Sequence, residues 1–395
     1  MISLHFRRRV SLRITIFVLL IGTKLGMPDA VKVQADEAEP FSKIAFFSRQ
    51  GQSDTLHIID PLTANEDTFP LAADSGSQGL PVWSPICDRI LTDENRGNQK
   101  VMGIVAYGEN GISIDLTEMK PLENLLAYFP RWSPDGDSIA FQALDLDNLE
   151  NNTDIYTLSF STGELKNLTN DPVQNVAPRW SPDGKQIVFA AMSKDSAKEY
   201  FDIYVANADG SSIKVIYANP DANDLVPEWS PDGNSITFIS QDPNGDRILL
   251  VNKNGGAATV LTNNTTYRIL HRSWSNDGKF IAFESANATD DSQIFLLDMG
   301  SKSVFPLTDA PKTISLFATW SPDDSQLVFQ SNHDGDFEIY TLDLARKTIT
   351  QLTHNDYDDI YPAWSPKTCS DTGYVYQGGS FDLNCLECGV STPTP

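Results

Sequence analysis

Residues Pro178-Arg179-Trp180-Ser181-Pro182-Asp183-Gly184 hold the motif that decides the fold, because closely related stretches recur along the chain. All seven tryptophans of the 395 residues are followed by serine, at intervals of 44 to 49 residues. Propeller blades and the longest helical repeats both have periods of this size. The seven tryptophans are Trp83, Trp132, Trp180, Trp229, Trp274, Trp320 and Trp364.

The local pattern after each tryptophan separates these two architectures. Ser-Pro-Asp-Gly predicts a tight turn, since proline fixes φ and glycine accepts a left-handed conformation. Apolar residues then stand seven and nine positions after the tryptophan, as Ile187 and Phe189 do, and a spacing of two is the strand period. Two further strand-like runs follow, the second ending in Leu-Thr, as at Leu168-Thr169. The sequence predicts an all-β fold with four antiparallel strands in each unit, and it places the tryptophans in the core.

The two ends of the repeat region predict how the ring closes. Residues 44–71 provide three strands without a tryptophan strand before them, and the segment around Trp364 provides one strand after the last complete unit. Joined, they make one blade, which gives a β-propeller of seven blades without free sheet edges. A spare strand at residues 374–376 leaves six or eight blades open as alternatives.

The combined motifs Pro-x-Trp-Ser-Pro-Asp-Gly, Ile-x-Phe, Ile-Tyr and Leu-Thr resemble the WD40-like propeller repeats of TolB and related exported bacterial proteins. The resemblance covers about residues 43–376. Four units depart from the turn motif, including Ser-Pro-Ile-Cys after Trp83 and Ser-Pro-Asp-Asp after Trp320. The resemblance implies a propeller, and also a peptide-binding role, because TolB takes up an extended segment of its partners at the channel mouth.

The amino-terminal residues predict export. Residues 1–35 resemble a signal peptide, because four arginines precede the apolar run Ile14 to Ile21 and Val33-Gln34-Ala35 offers a cleavage position. An uncleaved anchor is the alternative. Residues 36–42 then form a short linker, 43–376 the propeller, and 377–395 a tail that contains cysteines and a Thr/Pro-rich end. We expect a monomer in the periplasm, the cell envelope or outside the cell, without membrane insertion once the signal is removed.

Charge and cysteine content narrow the classes of partner. The 29 basic and 53 acidic residues give a net charge of −24, which repels the phosphates of nucleic acids. Export permits disulfides, and we expect a structural bridge among Cys369, Cys385 and Cys388. A metal site at Cys385-x-x-Cys388 is disfavoured, because no second cysteine pair or histidine pair completes it.

The candidate binding residues stand five positions before each tryptophan, where the chain enters the innermost strand of a blade. We call these positions the entry ring. In a propeller such loops surround one mouth of the channel, so polar side chains there can face a docked partner. The alternative is that they only cap strand ends. The entry ring is Gln78, Ala127, Asn175, Asp224, Ile269, Ser315 and Asp359, and its binding candidates are Gln78, Asn175, Asp224, Ser315 and Asp359.

Two acidic loops are candidates for calcium, the single cofactor that the sequence suggests. Carboxylates at short spacing suit Ca²⁺, although neither loop has the EF-hand pattern and both can equally be solvated turns. The residues are Asp145, Asp147 and Glu150 in one loop, and Asp334 and Asp336 in the other.

The sequence lacks the catalytic motifs of propeller enzymes, which favours a binding function. The chain has no Gly-x-Ser-x-Gly motif, and His57, His271, His333 and His354 share no register in the repeat, each expected on a surface or in a loop. We therefore expect an exported, non-catalytic propeller that binds a protein or peptide at its channel mouth. A polysaccharide-binding or polysaccharide-lyase-like propeller and a sensor or scaffold ectodomain of the cell envelope are the alternatives.

Overall fold

In the computed structural model, the described residues are 42–51, 53–71, 75–77, 79–96, 99–108, 111–113, 122, 124–147, 153–193, 200–262, 268–286 and 291–366. These residues form 29 β-strands and no α-helix. The strands form seven antiparallel sheets, which confirms the predicted all-β propeller and its seven four-stranded blades. None of the described elements is a helix long and apolar enough to cross a membrane.

Blade 1 closes the ring with strands from both ends of the described chain. Strand β29 (Asp358–Trp364) pairs with β1 (Ile44–Gln50), followed by β2 (Ser53–Ile59) and β3 (Glu66–Pro70). The register places Trp364 opposite Ile44, so the last tryptophan strand pairs with the first strand. This confirms the predicted composite blade. The spare strand predicted at 374–376, the signal segment at 1–35 and the tail at 377–395 lie outside the described residues.

The other six blades follow one another along the chain. In blade 2 the innermost strand is divided into β4 and β5, which both pair with β6. The strands are β4 (Ser75–Ser77), β5 (Val82–Trp83), β6 (Arg89–Arg96), β7 (Gln99–Gly108) and β8 (Gly111–Ser113) in blade 2; β9 (Leu125–Trp132), β10 (Ser138–Asp145), β11 (Asp154–Ser159) and β12 (Leu165–Asn167) in blade 3; and β13 (Asn175–Trp180), β14 (Gln186–Met192), β15 (Phe201–Asn207) and β16 (Lys214–Tyr217) in blade 4.

Blades 5 to 7 repeat the same order without a divided strand. Their strands are β17 (Asn223–Trp229), β18 (Ser235–Asp242), β19 (Gly245–Asn252) and β20 (Thr259–Val260) in blade 5; β21 (Arg268–Trp274), β22 (Phe280–Ala286), β23 (Ser292–Asp298) and β24 (Val304–Pro306) in blade 6; and β25 (Ser315–Trp320), β26 (Gln326–Ser331), β27 (Glu338–Asp343) and β28 (Thr348–Gln351) in blade 7.

Each tryptophan ends the innermost strand of its blade and packs against a neighbouring blade. The indole N–H of Trp229 donates to the carbonyl of Arg179, the residue before the previous tryptophan, over 3.2 Å. Trp83, Trp132, Trp180 and Trp320 make the equivalent bond to the preceding blade. Burial of the indole and satisfaction of its N–H therefore both join blades, which explains why the repeat places tryptophan there.

The turn after the tryptophan forms as its residues predict. Ser181 Oγ donates to Asp183 over 2.6 Å and accepts from the backbone N–H of Gln186 at 3.0 Å. Gly184 takes a φ of +69°, and Cys87 occupies the same turn position in blade 2 at +64°. Cys87 is disulfide-bonded and buried. The predicted bridge among Cys369, Cys385 and Cys388 stays a prediction, because these residues lie outside the described stretch of the chain.

Candidate functional site

The entry ring lies inside the blades. The side chains of Asn175, Asp224, Ser315 and Asp359 are at most 2% exposed, and Ala127 and Ile269 are buried as well. Gln78 lies outside the described residues. In this structure the described entry-ring side chains therefore do not face solvent at a channel mouth.

Hydrogen bonds hold three polar members of the entry ring, Asn175, Ser315 and Asp359. Asn175 donates its amide to Asp171 at 2.9 Å and to Asp154 at 3.4 Å. Asp359 accepts from the Asn355 amide at 2.7 Å. These contacts tie the starts of β13 and β29 to the preceding loops and, for β13, to a strand of the preceding blade, as expected of strand-end caps.

Two entry-ring carboxyl groups have raised pKa values. Burial raises the pKa of Asp224 to about 7, opposed by Ser240 and assisted by the negative charge of Asp202. Burial also raises the pKa of Asp359, whose carboxyl lies beside that of Glu338. The pKa of Glu338 is raised to about 7 by burial and by this neighbouring acid. The blade interior thus favours the protonated form of these groups.

A second ring, three positions before each tryptophan, does reach open space. We call it the channel collar; unlike the entry ring, it has no buried member, and Phe129 is 44% exposed. Six of its seven residues are apolar or aromatic. The channel collar is Leu80, Phe129, Ala177, Val226, His271, Phe317 and Tyr361.

A β-bulge in the innermost strand positions the collar. In blade 7, Leu316 pairs with Gln330 and Thr319 with Val328, so β25 holds one residue more than β26 across this interval. Five collar residues have a left-handed backbone, with φ between +50° and +58°. This conformation is costly for aromatic and β-branched residues, and such strain is concentrated at functional sites. The strained residues are Phe129, Ala177, Val226, Phe317 and Tyr361.

Side chains from the preceding blade fix several of these bulges. Gln142 accepts from the backbone N–H of Ala177 at 2.8 Å, and Gln330 accepts from that of Tyr361 at 2.7 Å. Glu284 accepts in the same way from the backbone N–H of Ala318, the residue after its collar position. Each of these acceptors stands ten residues after its own tryptophan. The collar backbone is therefore held by contacts between blades.

Three neighbouring collar side chains contact one another. The rings of His271 and Phe317 are 5.8 Å apart between centroids, and those of Phe317 and Tyr361 are 4.8 Å apart in an edge-to-face arrangement. These three residues belong to blades 6, 7 and 1, so the contacts run from blade to blade around the ring. Edge-to-face geometry is favourable for aromatic pairs, which adds rigidity to this side of the collar.

The channel holds a cavity of about 280 Å³, lined by residues from all seven blades. Leu80, Val226 and His271 of the collar are among them. The cavity is also lined by four charged side chains from the last two positions before the tryptophans. We call them the basic tier: Arg131, Arg179, Arg272 and Glu228. Three arginines against one glutamate make this interior positive in a chain whose net charge is −24.

Arg272 is a deeply buried member of the basic tier. Its guanidinium donates to the carbonyl of Thr237 at 2.9 Å, to the Thr237 hydroxyl at 3.3 Å and to the carbonyl of Val226. Burial lowers the pKa of Arg272 to about 10; Glu228 opposes this shift and the positive charge of Arg179 adds to it. Burial likewise lowers the pKa of Arg179. The surrounding protein therefore disfavours the cationic forms that line the channel.

A larger cavity of about 740 Å³ lies outside the channel, between blades 7 and 1. Its walls are turn and outer-strand residues, such as Pro322, Thr348 and the largely exposed Leu62. The channel cavity, in contrast, brings residues of every blade together, so the channel is the stronger candidate site.

The predicted calcium residues take part in local hydrogen bonds. Asp147 accepts from Asn124 at 2.8 Å, and Asp334 accepts from Tyr340 and Gln351. Asp145 accepts from the backbone of Asp147. No group of three or more acidic, histidine or cysteine residues within the described ranges is arranged to hold a metal ion, and Glu150 lies outside those ranges.

The interpretation of the sequence missed the channel collar and the basic tier. His271, expected on a surface or in a loop, lies in the collar. A signal for the collar exists in the sequence, since the third position before tryptophan is apolar or aromatic in six of seven units. The basic tier has a weaker signal, because its arginines occupy two different positions relative to tryptophan.

Solved structures similar to this chain include a TolB protein and two enzymes. TolB from Acinetobacter baumannii is 17% identical over 82% of this chain and 83% of its own, with a TM-score of 0.49. A puromycin hydrolase is 15% identical over 80% of this chain and 54% of its own, with a TM-score of 0.60. An oligogalacturonate lyase from Vibrio parahaemolyticus is 14% identical over 81% of this chain and 87% of its own, with a TM-score of 0.54. At these identities the likeness to the two enzymes concerns the fold alone.

Sequence comparison is more specific. No curated protein sequence matches the chain. The family model described as the TolB beta propeller domain matches residues 123–313 and 263–372, which together make up more than half of the chain. The chain therefore belongs to the TolB β-propeller domain family.

Proposed function

We propose that this chain is an exported, non-catalytic propeller that binds a segment of a protein partner through the channel collar. The observation that carries the proposal is a ring of half-buried to exposed, mostly apolar side chains, five of them on strained backbone, beside a cavity to which every blade contributes. Family membership supports a protein-binding role, and the amino-terminal sequence supports export.

The dimensions of the channel favour a narrow ligand. A cavity of about 280 Å³ has room for only a few residues, which suits a short extended segment or a chain end rather than a folded domain. The collar around it offers aromatic faces and edges, which are enriched where proteins bind one another. Because the collar backbone is fixed by neighbouring blades, binding would cost little ordering of the propeller.

Capture of partners from the exported fraction of the source cells tests this proposal. The full chain is compared with a Phe129→Ser variant and with a matched Phe305→Ser control. Phe129 and Phe305 are 44% and 50% exposed, but Phe305 lies on β24 and outside the collar. We expect the wild type and the control to capture the same protein, and the collar variant to lose most of it.

Stability measurements accompany the capture. Both phenylalanines are half-exposed, so both variants should melt close to the wild type. Equal capture by the three proteins would contradict a collar site, and so would the failure of the wild type to capture any protein.

A further inference from the structure

The basic tier has a charge opposite to that of the whole chain. Arg131, Arg179 and Arg272 line the same cavity as Glu228, while the chain carries 53 acidic residues against 29 basic ones. A chain with so many carboxylates has ample means of pairing its buried arginines. Among the described residues, however, no salt bridge includes Arg179 or Arg272.

The guanidinium groups are nevertheless held in place by the backbone. Arg272 donates to the carbonyls of Thr237 and Val226, and Arg179 donates to the carbonyl of Pro178 at 3.0 Å. These bonds use neutral acceptors, so they orient the side chains without neutralising them. A planar guanidinium carries five N–H donors, and these bonds leave some donors of each group for another acceptor.

The electrostatics of the cavity favour an incoming anion. Burying charges is expensive, and the lowered pKa values of Arg179 and Arg272 reflect that cost, which Glu228 offsets only in part. Glu228 is the single acid of the tier, and His271 of the collar lies 3.6 Å from the Glu284 carboxylate. An anion in the cavity would therefore improve its charge balance.

We propose that the basic tier binds a carboxylate carried by the peptide segment that enters the channel, either an acidic side chain or a carboxyl terminus. This inference rests on the proposed function and names the ligand chemistry of the same site. Guanidinium and carboxylate groups match in shape and pair through two parallel hydrogen bonds. The collar would hold the apolar portion of the segment, and the basic tier would hold its charge.

Small probes test the basic tier without a known partner. Succinate and its neutral isostere succinamide are titrated into the full chain, and tryptophan fluorescence is followed because Trp83 and Trp364 line the cavity. We expect succinate to bind more tightly than succinamide, and its affinity to fall as salt is added. Equal binding of the two compounds by the wild type, or no binding of succinate, would overturn the inference without any variant.

Arg179→Gln and a matched Arg346→Gln control then locate the site. Arg346 forms a salt bridge with Asp343 on the protein surface, and its side chain is largely exposed. It is distant in sequence from the residues of the basic tier. Loss of one charge-assisted pair should weaken succinate binding about tenfold in Arg179→Gln. The control should bind like the wild type. Unchanged affinity in Arg179→Gln would overturn the assignment.

Two synthetic peptides, with an amidated Gln peptide of the same sequence as the neutral reference, distinguish the sources of the carboxylate. Both contain the acetylated sequence Ac-Gly-Phe-Ser-Gly; one ends in Gln with a free carboxyl terminus, and the other ends in Glu with an amidated terminus. Tighter binding of the first assigns a carboxyl terminus, and tighter binding of the second assigns a side chain. If neither binds more tightly than the amidated Gln peptide, the channel does not accept a peptide carboxylate and the inference fails.

The outcomes also separate this inference from the proposed function. Phe129→Ser should lose the captured protein while keeping the succinate affinity of the wild type. Succinate binding without capture of any protein would support an anion site and contradict the proposed function. If protein capture depends on Phe129 but is the same in Arg179→Gln as in the wild type, the result would support the proposed function and contradict a role of the basic tier in it.

Discussion

The entry ring and the channel collar lie two positions apart on the same seven strands, yet their surroundings are opposite. Entry-ring residues such as Asp224 are buried within blades, whereas collar residues such as Val226 are exposed at the channel on strained backbone. In a regular strand, residues two apart share a face. The bulge between the two rings adds one residue to the innermost strand, so the collar residue points away from the face of the entry-ring residue. This local irregularity therefore determines which ring is exposed at the channel.

The largest expected effect comes from the tryptophan to which both rings lead. Trp229→Ala should lower the free energy of unfolding by about 3 to 5 kcal/mol, because a buried indole and the space it fills are lost. It also removes the hydrogen bond to Arg179 of the preceding blade. Chemical denaturation measures the loss, with Phe305→Ala as an exposed aromatic control. Similar losses in the two variants would mean that the tryptophan register does not anchor the blades.

The tryptophan register and the ring closure could be predicted because both depend on short patterns. Proline, aspartate and glycine specify a turn within four residues, and Ile-x-Phe specifies a strand face. Seven registered copies then leave little freedom for the architecture. The composite blade followed from counting strands at the two ends, and the pairing of Ile44 with Trp364 agrees with it.

The channel collar and the basic tier could not be predicted in the same way. Strict alternation places the fifth and third residues before tryptophan on one face, and nothing in a single strand such as 315–320 indicates the extra residue at Phe317. The acceptors that fix the bulges, such as Gln330 for Tyr361, belong to another blade. Arg272 joins Arg179 in the cavity although it stands one position earlier relative to its tryptophan. These features depend on contacts between repeats, which local patterns do not contain.

The burial of the entry ring should make the stability of the protein depend on pH. The pKa of Asp224 is about 7 in the folded chain, above the value of an unfolded aspartate, so the native state binds the proton more tightly. The wild type should therefore lose stability as the pH rises from about 4 to about 7.

Asp224→Asn removes this titration, and Asn175 shows that the entry ring accepts asparagine in blade 4. Relative to the wild type, the variant should gain roughly 4 kcal/mol of stability between about pH 4 and about pH 8. Urea denaturation of both proteins at the two pH values measures the change. A stability difference that is independent of pH would show that Asp224 ionises as freely in the folded chain as in the unfolded one.

The third prediction concerns the contacts that fix the bulges. Gln330→Ala leaves the N–H of Tyr361 without its acceptor, which should cost about 1 to 3 kcal/mol. Gln326→Ala is the control, since Gln326 lies on the same strand and its side-chain amide has no hydrogen bond to a described residue. Thermal unfolding compares the two variants. If both melt alike, the bulge does not depend on the neighbouring blade.

The smallest expected change in stability comes from relieving the backbone strain of the collar. Whether the unfolding temperature rises or falls tests whether that strain exists. Val226 and Val304 are 37% and 41% exposed, but of the two only Val226 has a left-handed backbone, with a φ of +50°. Glycine in an ordinary strand costs about 0.5 to 1 kcal/mol, so Val304→Gly should be destabilising.

At Val226 the same change relieves strain of about 1 kcal/mol or more, which should offset that cost. Val226→Gly should therefore unfold at or above the wild-type temperature while Val304→Gly unfolds below it, as differential scanning calorimetry can measure. Equal losses would mean that the collar conformation is unstrained, and the backbone contrast between the two rings would then disappear.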